Sequence, residues 1–156
     1  KFIPIKNKIL KRTTNKYLKS QNDKNFYINN RILSPSDFGF HNSMVVNKKR
    51  LFFFDFEYFG WDDPVKLICD FYFHPGSNLS ISQKEIWLKL MINHFGEKIK
   101  KRLFLFMPLY GILWSLIMLN IFKNCETSNI NYTKKCKIQL HKSETNLLNI
   151  ISNFDN

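Results

Sequence analysis

Residues 34–42 read Ser-Pro-Ser-Asp-Phe-Gly-Phe-His-Asn, and residues 51–57 read Leu-Phe-Phe-Phe-Asp-Phe-Glu. Within them Asn42 follows Asp37 by five residues, and Asp55 stands at the end of an apolar run. A carboxylate can accept a proton from a substrate hydroxyl, while an amide oxygen and a second carboxylate suit Mg²⁺. Phosphoryl transfer from ATP requires side chains of these kinds. The pattern therefore predicts Asp37 as a catalytic base and Asn42 and Asp55 as metal ligands.

The residues between these positions predict a β hairpin. Residues 44–46 and 51–54 are apolar, and residues 47–50, Asn-Lys-Lys-Arg, form a polar turn between them. A hairpin of this kind returns Asp55 to the neighbourhood of Asn42. Asp, Asn and Gly are also ordinary turn residues, so a plain turn with a carboxylate at a strand end is the competing interpretation.

Residues 54–64 extend the pattern with Phe-Asp-Phe-Glu-Tyr-Phe-Gly-Trp-Asp-Asp-Pro. Over about residues 31–75 the chain resembles the bacterial aminoglycoside phosphotransferase and choline-kinase-like family. That family combines a His-x-Asp-x-x-x-x-Asn loop with a downstream Asp-x-Glu, an aromatic-rich stretch and Asp-Pro. The resemblance implies that Asp37 is the base, Asn42 the first metal ligand and Asp55 the second. Pro35 stands where the family has its orienting His.

The resemblance also implies a fold and a cellular setting. We expect an α+β, mostly α domain over residues 1–156, corresponding to the C-terminal lobe of a protein-kinase-like fold, with the hairpin carrying the site. Residues 1–24 contain no glycine and hence no phosphate-covering loop, so we expect the nucleotide lobe to be absent and this chain alone to be inactive. The expected setting is the bacterial cytoplasm, in agreement with three cysteines that form no Cys-x-x-Cys pair.

Further residues near the motif are candidates for substrate contacts or for support of the site. His41 either orients the loop or is merely exposed to water, and Trp61 either walls the substrate site or packs in the core. The resemblance implies that a carboxylate near Asp70 braces the catalytic loop. His74, before Pro75, is interpreted as a turn residue. The complete candidate set is Ser36, His41, Glu57, Trp61, Asp62 and Asp70.

The distribution of charge along the chain limits the classes of molecule that we expect it to bind. The formal net charge is +12, and residues 1–24 contain eight basic residues against Asp23. We interpret this segment as an amphipathic helix with a solvated basic face rather than a nucleic-acid site, because no recognition motif follows. Residues 55–70 reverse the balance, with five carboxylates against Lys66, and predict a local acidic pocket. The expected acceptor is a hydroxyl compound, namely a sugar, amino alcohol or aminoglycoside-like molecule, and the basic chain disfavours a polycation.

Residues 103–122 contain no charged side chain and are long enough to span a bilayer. Pro108, Gly111 and Asn120 interrupt the segment, so we predict a buried helix and no membrane span. The remaining pattern predicts a helix from Asp63-Pro64 and a second from a capping box at residues 82–85 to about His94. It also predicts a polar loop at residues 124–137 and a last helix at about 143–151.

Two other classes of function compete with the phosphotransferase. A non-catalytic remnant could retain the lobe as a basic binding or scaffold domain, and a membrane-anchored protein could be built around residues 103–122. Intact Asp37, Asn42 and Asp55 favour catalysis, whereas the missing nucleotide lobe favours a chain without turnover.

Overall fold

The computed structural model describes residues 2–19, 30–124 and 130–155. Its helices are α1 Phe2–Lys19, α2 Pro64–Phe73, α3 Ile81–Phe95, α4 Lys98–Met118 and α5 Ile130–Asp155. Its strands are β1 Ile32–Ser34, β2 Ser43–Val46, β3 Arg50–Phe53 and β4 Gly60–Asp62, and 3-10 turns lie at Phe40–Asn42 and Leu119–Asn124. The predicted α+β, mostly α class is confirmed. The predictions that concern Lys24 and Cys125 lie outside the described residues.

The four strands form two small antiparallel sheets. The predicted hairpin is present: β2 pairs with β3, and Val45 lies opposite Leu51. Its turn places Asn47 and Lys48 at left-handed φ angles of 52° and 56°, which suits the twist of a tight hairpin. The second sheet pairs β1 with β4 and brings Ser34 opposite Gly60. All the predicted catalytic and metal-binding residues therefore belong to the segment that this second pair closes.

Helix α2 begins as the sequence predicts. The Asp63 side chain accepts a hydrogen bond of 2.9 Å from the Val65 backbone, and Pro64 occupies the first turn, where its missing N–H costs nothing. The Asp63 carboxylate also forms a buried ion pair with Arg102 of α4. The start of α2 is thereby tied to the longest apolar helix of the chain.

Helix α3 begins two residues earlier than predicted, so the capping box at residues 82–85 is wrong. Ser80 is the cap and Gln83 completes the box: Ser80 Oγ accepts from the Gln83 backbone, and Gln83 Oε1 accepts from the Ser80 backbone. The Ser80 backbone is extended, whereas Ser82 already lies in the first helical turn. Gly96 closes the helix at a φ of 84°, a conformation that glycine adopts without strain.

The hydrophobic core lies where α4 packs against α1, α2 and α5. A polar ladder joins α4 to α5: Asn146 Nδ2 donates to Gly111 O at 3.0 Å and to Ser115 Oγ at 2.9 Å, and Ser143 Oγ donates to Ser115 O at 2.8 Å. The most deeply buried members of the core are Ile9, Val65, Ile68, Cys69, Phe73, Ile99, Leu103, Ile112 and Ile150.

The apolar segment at residues 103–122 forms most of α4 and the 3-10 turn after it. The stretch Lys98–Lys123 is long and apolar enough to cross a membrane, and 22% of its most apolar window is buried in the structure. Leu103 and Ile112 face the core, whereas Phe104 and Leu113 are exposed. The choice between a core helix and a membrane helix stays a prediction.

The polar loop predicted at residues 124–137 is wrong for residues 130–137, which belong to helix α5; residues 125–129 lie outside the described part of the chain. The last helix therefore begins well before the predicted residue 143. Buried positions at Cys136, Ser143 and Ile150 follow heptad spacing along one face, and Lys134, Lys135, Lys137 and Lys142 are exposed. The polar residues of this segment obscured its helical periodicity in the sequence.

Candidate active site

A tight turn between β1 and the first 3-10 turn presents Asp37. The Ser34 side chain is fully buried, and its Oγ accepts a hydrogen bond of 3.1 Å from the Ser36 backbone. Ser36 adopts a left-handed φ of 57°, which is uncommon for a residue other than glycine. The Asp37 N–H then donates to Pro35 O at 2.8 Å. Ser36, a predicted site residue, thus shapes the backbone on which Asp37 sits.

Asn42 is locked onto Asp37. Its Nδ2 donates to the Asp37 backbone O at 3.0 Å and to Asp37 Oδ2 at 3.2 Å, and only 8% of the residue is exposed. Because both contacts use the amide nitrogen, the Asn42 carbonyl oxygen is the atom left for a ligand. The structure therefore brings the predicted base and the first predicted metal ligand into direct contact.

The hairpin brings the backbone just before the second predicted metal ligand next to Asn42. The Phe54 N–H donates to Asn42 O at 3.0 Å, so Asp55 directly follows a residue bonded to Asn42. Asp55 is exposed and has a left-handed φ of 64°. Residues held in such sparsely populated conformations concentrate at functional sites. The neighbourhood of Asn42 and Asp55 that the hairpin pattern predicted is present.

The negative charge of this region acts on Tyr58. Its pKa is raised, first by a hydrogen bond and the charge of Glu57, and at longer range by Asp55 and Asp37. Glu57, another predicted site residue, is exposed and faces Tyr58.

Trp61 is 67% exposed, so the interpretation of this residue as core packing is wrong.

Two histidines converge on one oxygen of Asp37. His41 Nε2 lies 3.0 Å from Asp37 Oδ1, and His74 Nε2 lies 3.8 Å from the same atom. The two imidazoles stack with their centroids 4.0 Å apart and their planes within 10°. His41 is exposed and contacts the Asp37 carboxylate, which agrees with its interpretation as a residue that orients the loop and leaves that role a prediction. The interpretation of His74 as a turn residue missed its place in the site.

Hydrogen bonding defines the protonation of His74. Its Nδ1 accepts from the Gly76 backbone at 3.0 Å, so the neutral ring carries its proton on Nε2, the atom that faces Asp37. Burial and the neighbouring His41 lower the pKa of His74 to about 4, against the opposing effect of Asp37. His74 is therefore a neutral donor at physiological pH.

Asp37, His41 and His74 place three possible ligand atoms within 4.8 Å of one another. A transition metal would have to lie near the plane of each imidazole, about 2.0–2.1 Å from its nitrogen. The parallel stacking of the two rings prevents this, and the proton on His74 Nε2 blocks the relevant lone pair. The cluster fits a hydrogen-bonded carboxylate better than a zinc site.

Asp70 supports this cluster through an intermediate side chain. Its Oδ1 accepts from Trp114 Nε1 at 2.9 Å, and the Trp114 ring meets the His74 ring edge-on at 4.7 Å. Lys66 lies 3.0 Å from the other carboxylate oxygen of Asp70. Asp70 is thus connected to Asp37 through Trp114 and His74, and its bracing role stays a prediction.

The acidic pocket predicted from residues 55–70 is wrong for three of its five carboxylates. Asp62 lies 2.9 Å from Lys66, which also pairs with Asp70, and Asp63 pairs with Arg102. Two cations, Lys66 and Arg102, therefore pair with these three carboxylates along α2. Asp62 in particular is a helix-start residue that accepts from the Asp63 backbone at 2.8 Å.

Close packing explains why residue 39 is glycine. A Cβ atom at Gly39 would lie 2.6 Å from His41 Nδ1 and 3.2 Å from Ser77 Oγ. The distance to His41 Nδ1 is too short for a carbon atom, so the His41 ring would have to move. The Ser77 hydroxyl is buried and has no hydrogen-bond partner in the described structure. Gly39 thus allows His41 to approach Asp37.

Comparisons with models of protein families, with curated proteins and with solved structures found no match. The site comprises the Asp37 carboxylate, which is hydrogen-bonded to His41 and Asn42 and lies 3.8 Å from His74, together with the amide oxygen of Asn42 and the exposed carboxylate of Asp55.

Proposed function

We propose that this chain provides the base and the metal ligands of an ATP-dependent phosphotransferase whose acceptor is a hydroxyl group of a small molecule. One observation carries the proposal: Asp37 and Asn42 are joined by hydrogen bonds of 3.0 and 3.2 Å beside the strand that leads to Asp55. A plain turn would not require a buried asparagine whose amide nitrogen is bonded to the carboxylate and whose amide oxygen remains available to a ligand.

Asp37 would act as the base. Its Oδ1 lies near His41 and His74, and its Oδ2 accepts from Asn42, but a carboxylate has about four acceptor positions and can still receive a hydroxyl. As the acceptor oxygen forms its bond to the γ-phosphorus, its proton passes to Asp37 and the bond to the ADP oxygen breaks. His41 and Asn42 fix the direction in which the carboxylate faces.

Asn42 and Asp55 would hold the metal. An amide oxygen and a carboxylate are hard oxygen donors of the kind that Mg²⁺ prefers, so the donor set fits this ion. When bound, Mg²⁺ neutralises charge on the phosphate oxygens of ATP. The hydrogen bonds from Asn42 Nδ2 to Asp37 couple the position of the metal ligand to that of the base.

The proposal extends to the fold, which we take to be a kinase-like second lobe in the cytoplasm. A hairpin that carries the proposed base and metal ligands beside a helical domain supports this assignment.

A non-catalytic basic binding domain is the second candidate function. The exposed basic side chains of α1 favour it; they belong to Lys8, Lys11, Arg12 and Lys16.

The metal site can be tested without knowledge of the acceptor. Mn²⁺ takes the same oxygen ligands as Mg²⁺ and broadens the NMR signals of nearby residues. We expect broadening centred on Asn42 and Asp55, abolished by Asp55→Ala and kept by Asp62→Ala, which removes a carboxylate from outside the site. Broadening that Asp62→Ala removes and Asp55→Ala leaves unchanged would contradict the proposal.

A further inference from the structure

We infer that a polar cavity beside His74 binds the acceptor, and that this acceptor is an anionic polyhydroxy compound, such as a sugar acid, rather than a polyamine. The inference rests on the proposed function, because the cavity is assigned to the acceptor through the contact of His74 with Asp37. Its chemistry can be tested independently of any phosphoryl transfer.

The cavity has a volume of about 330 Å³, at the small end of the range for ligand sites. It lies between the end of α2 with the turn that follows it, Lys84 of α3, the end of α4, and one face of α5. The α5 side chains that line it are His141, Lys142, Thr145, Asn146 and Asn149.

His74 connects this cavity to the proposed base. The residue lines the cavity, and its Nε2 lies 3.8 Å from Asp37 Oδ1. The Asp37 carboxylate therefore lies within one side chain of the cavity wall. Under the inference, the reacting hydroxyl of a ligand in the cavity is directed toward His74 and, beyond it, Asp37.

The charges that line the cavity are of one sign. Lys84 and Lys142 contribute cations, and no Asp or Glu is among the lining residues. Lys84 is half-buried with its ammonium 4.7 Å from the centre of the Tyr72 ring, and burial lowers its pKa. A ligand carboxylate near Lys84 and Lys142 would offset their positive charge, whereas an ammonium group there would be repelled by both lysines.

Fixed amides provide recognition of hydroxyl groups. Asn146 donates both Nδ2 hydrogens to α4, at Gly111 O and Ser115 Oγ, so its Oδ1 is the atom left to accept a hydrogen bond. Thr145 and Asn149 lie on the same wall and add further donors and acceptors. A ligand with several hydroxyl groups matches this wall better than a purely apolar one.

The test uses three open-chain compounds of similar shape on the full chain: gluconate, which is anionic, sorbitol, which is neutral, and glucamine, which is cationic. We expect gluconate to bind most tightly by NMR titration and to shift the signals of residues 141–149. Lys142→Glu should weaken gluconate binding about tenfold or more. Lys135→Glu changes the same charge on the same helix outside the cavity and should leave the affinity unchanged.

Three results would overturn the inference: glucamine binding at least as tightly as gluconate, equal effects of Lys142→Glu and Lys135→Glu, or no shift at residues 141–149. Failure of the proposed function looks different. If gluconate binds in the cavity but Asp55→Ala leaves the Mn²⁺ broadening unchanged, the metal site of the proposed function fails and the anion site stands. If Asp55→Ala abolishes that broadening but gluconate does not shift residues 141–149, the cavity assignment fails and the function stands.

Discussion

His41 and His74 stack with their rings 4.0 Å apart, and both face the same carboxylate oxygen of Asp37. His41 belongs to the loop that carries the base, whereas His74 caps the end of α2. The loop is therefore positioned against the helical domain by a histidine pair.

The pKa of His74 predicts how stability depends on pH. Because the folded pKa of about 4 lies below the ordinary value of 6.5, the unfolded chain binds a proton more readily. The contribution of His74 is fully present above pH 6.5 and is lost as the pH falls from 6.5 to about 4. The loss is at most about 3 kcal/mol, and less after screening at this half-buried ring.

Urea unfolding of the chain and of His74→Gln between pH 4 and 7.5 measures this contribution. We expect the free energy of unfolding to fall toward low pH more steeply in the unsubstituted chain than in His74→Gln. His94→Gln, which replaces an exposed histidine on α3, is the matched control and should leave the pH dependence unchanged. Identical slopes for the chain and His74→Gln would refute the protonation assigned to His74.

Gly39→Ala should disturb the site, whereas Gly60→Ala should not. A Cβ at residue 39 would lie 2.6 Å from His41 Nδ1 and must displace that ring from Asp37, whereas a Cβ at Gly60 meets nothing within 4 Å. We expect Gly39→Ala to lower stability by about 1–3 kcal/mol, as overpacking does, and to shift the His41 ring signals. Equal stability and unchanged His41 signals in both variants would contradict the packing described for the loop.

The sequence predicted the hairpin and its site because the signals are local. Asp37, Asn42 and Asp55 lie within one short stretch, and the polar turn between two apolar strands specifies how they meet. The place of His74 could not be predicted in this way. It depends on how the end of α2 packs against the loop, and no spacing in the sequence records that contact.

Ion pairs between residues distant in sequence were likewise not predictable from local sequence patterns. A count over residues 55–70 predicted an acidic pocket, but the partners of its carboxylates were decided by packing. Arg102, far along the chain, pairs with Asp63, and Lys66 lies one helical turn from both Asp62 and Asp70. Local charge patterns predict partners at i, i+4 spacing and miss those that a helix crossing brings together.

Asp37→Ala and Asn42→Ala should separate the two proposed roles. Where a hydroxyl compound is phosphorylated with Mg-ATP, Asp37→Ala should lower kcat by about 10²–10⁴ and leave nucleotide and metal binding unchanged. Asn42→Ala should weaken Mn²⁺ binding and also lower kcat, because it frees the Asp37 carboxylate. Asp62→Ala is the control carboxylate. Loss of activity in Asp62→Ala equal to that in Asp37→Ala would contradict the role of Asp37 as base.

Extraction from membranes should show whether α4 is a core helix or a membrane-spanning helix. Gly111 and Ser115 of α4 bond to Asn146 and Ser143 of α5, a helix rich in charged side chains, so insertion of α4 into lipid would break these contacts or bury those charges. We expect the protein to appear in the supernatant after alkaline carbonate treatment of cell membranes, without detergent. Retention in the pellet until detergent is added would favour the membrane-anchored alternative.

Removal of Arg102 should be far more costly than removal of an exposed lysine on the same helix. Arg102 and Asp63 are both buried, so Arg102→Ala would leave the Asp63 carboxylate buried without its partner and weaken the capped start of α2. The expected loss of stability is about 3–5 kcal/mol. Lys100→Ala removes a cation from an exposed pair with Glu97, 3.4 Å apart, and should cost less than about 1 kcal/mol. Chemical denaturation of both variants at neutral pH measures the difference. Equal losses would mean that the Asp63–Arg102 pair does not anchor α2 to α4, and that the position of His74 at the far end of α2 depends on apolar packing alone.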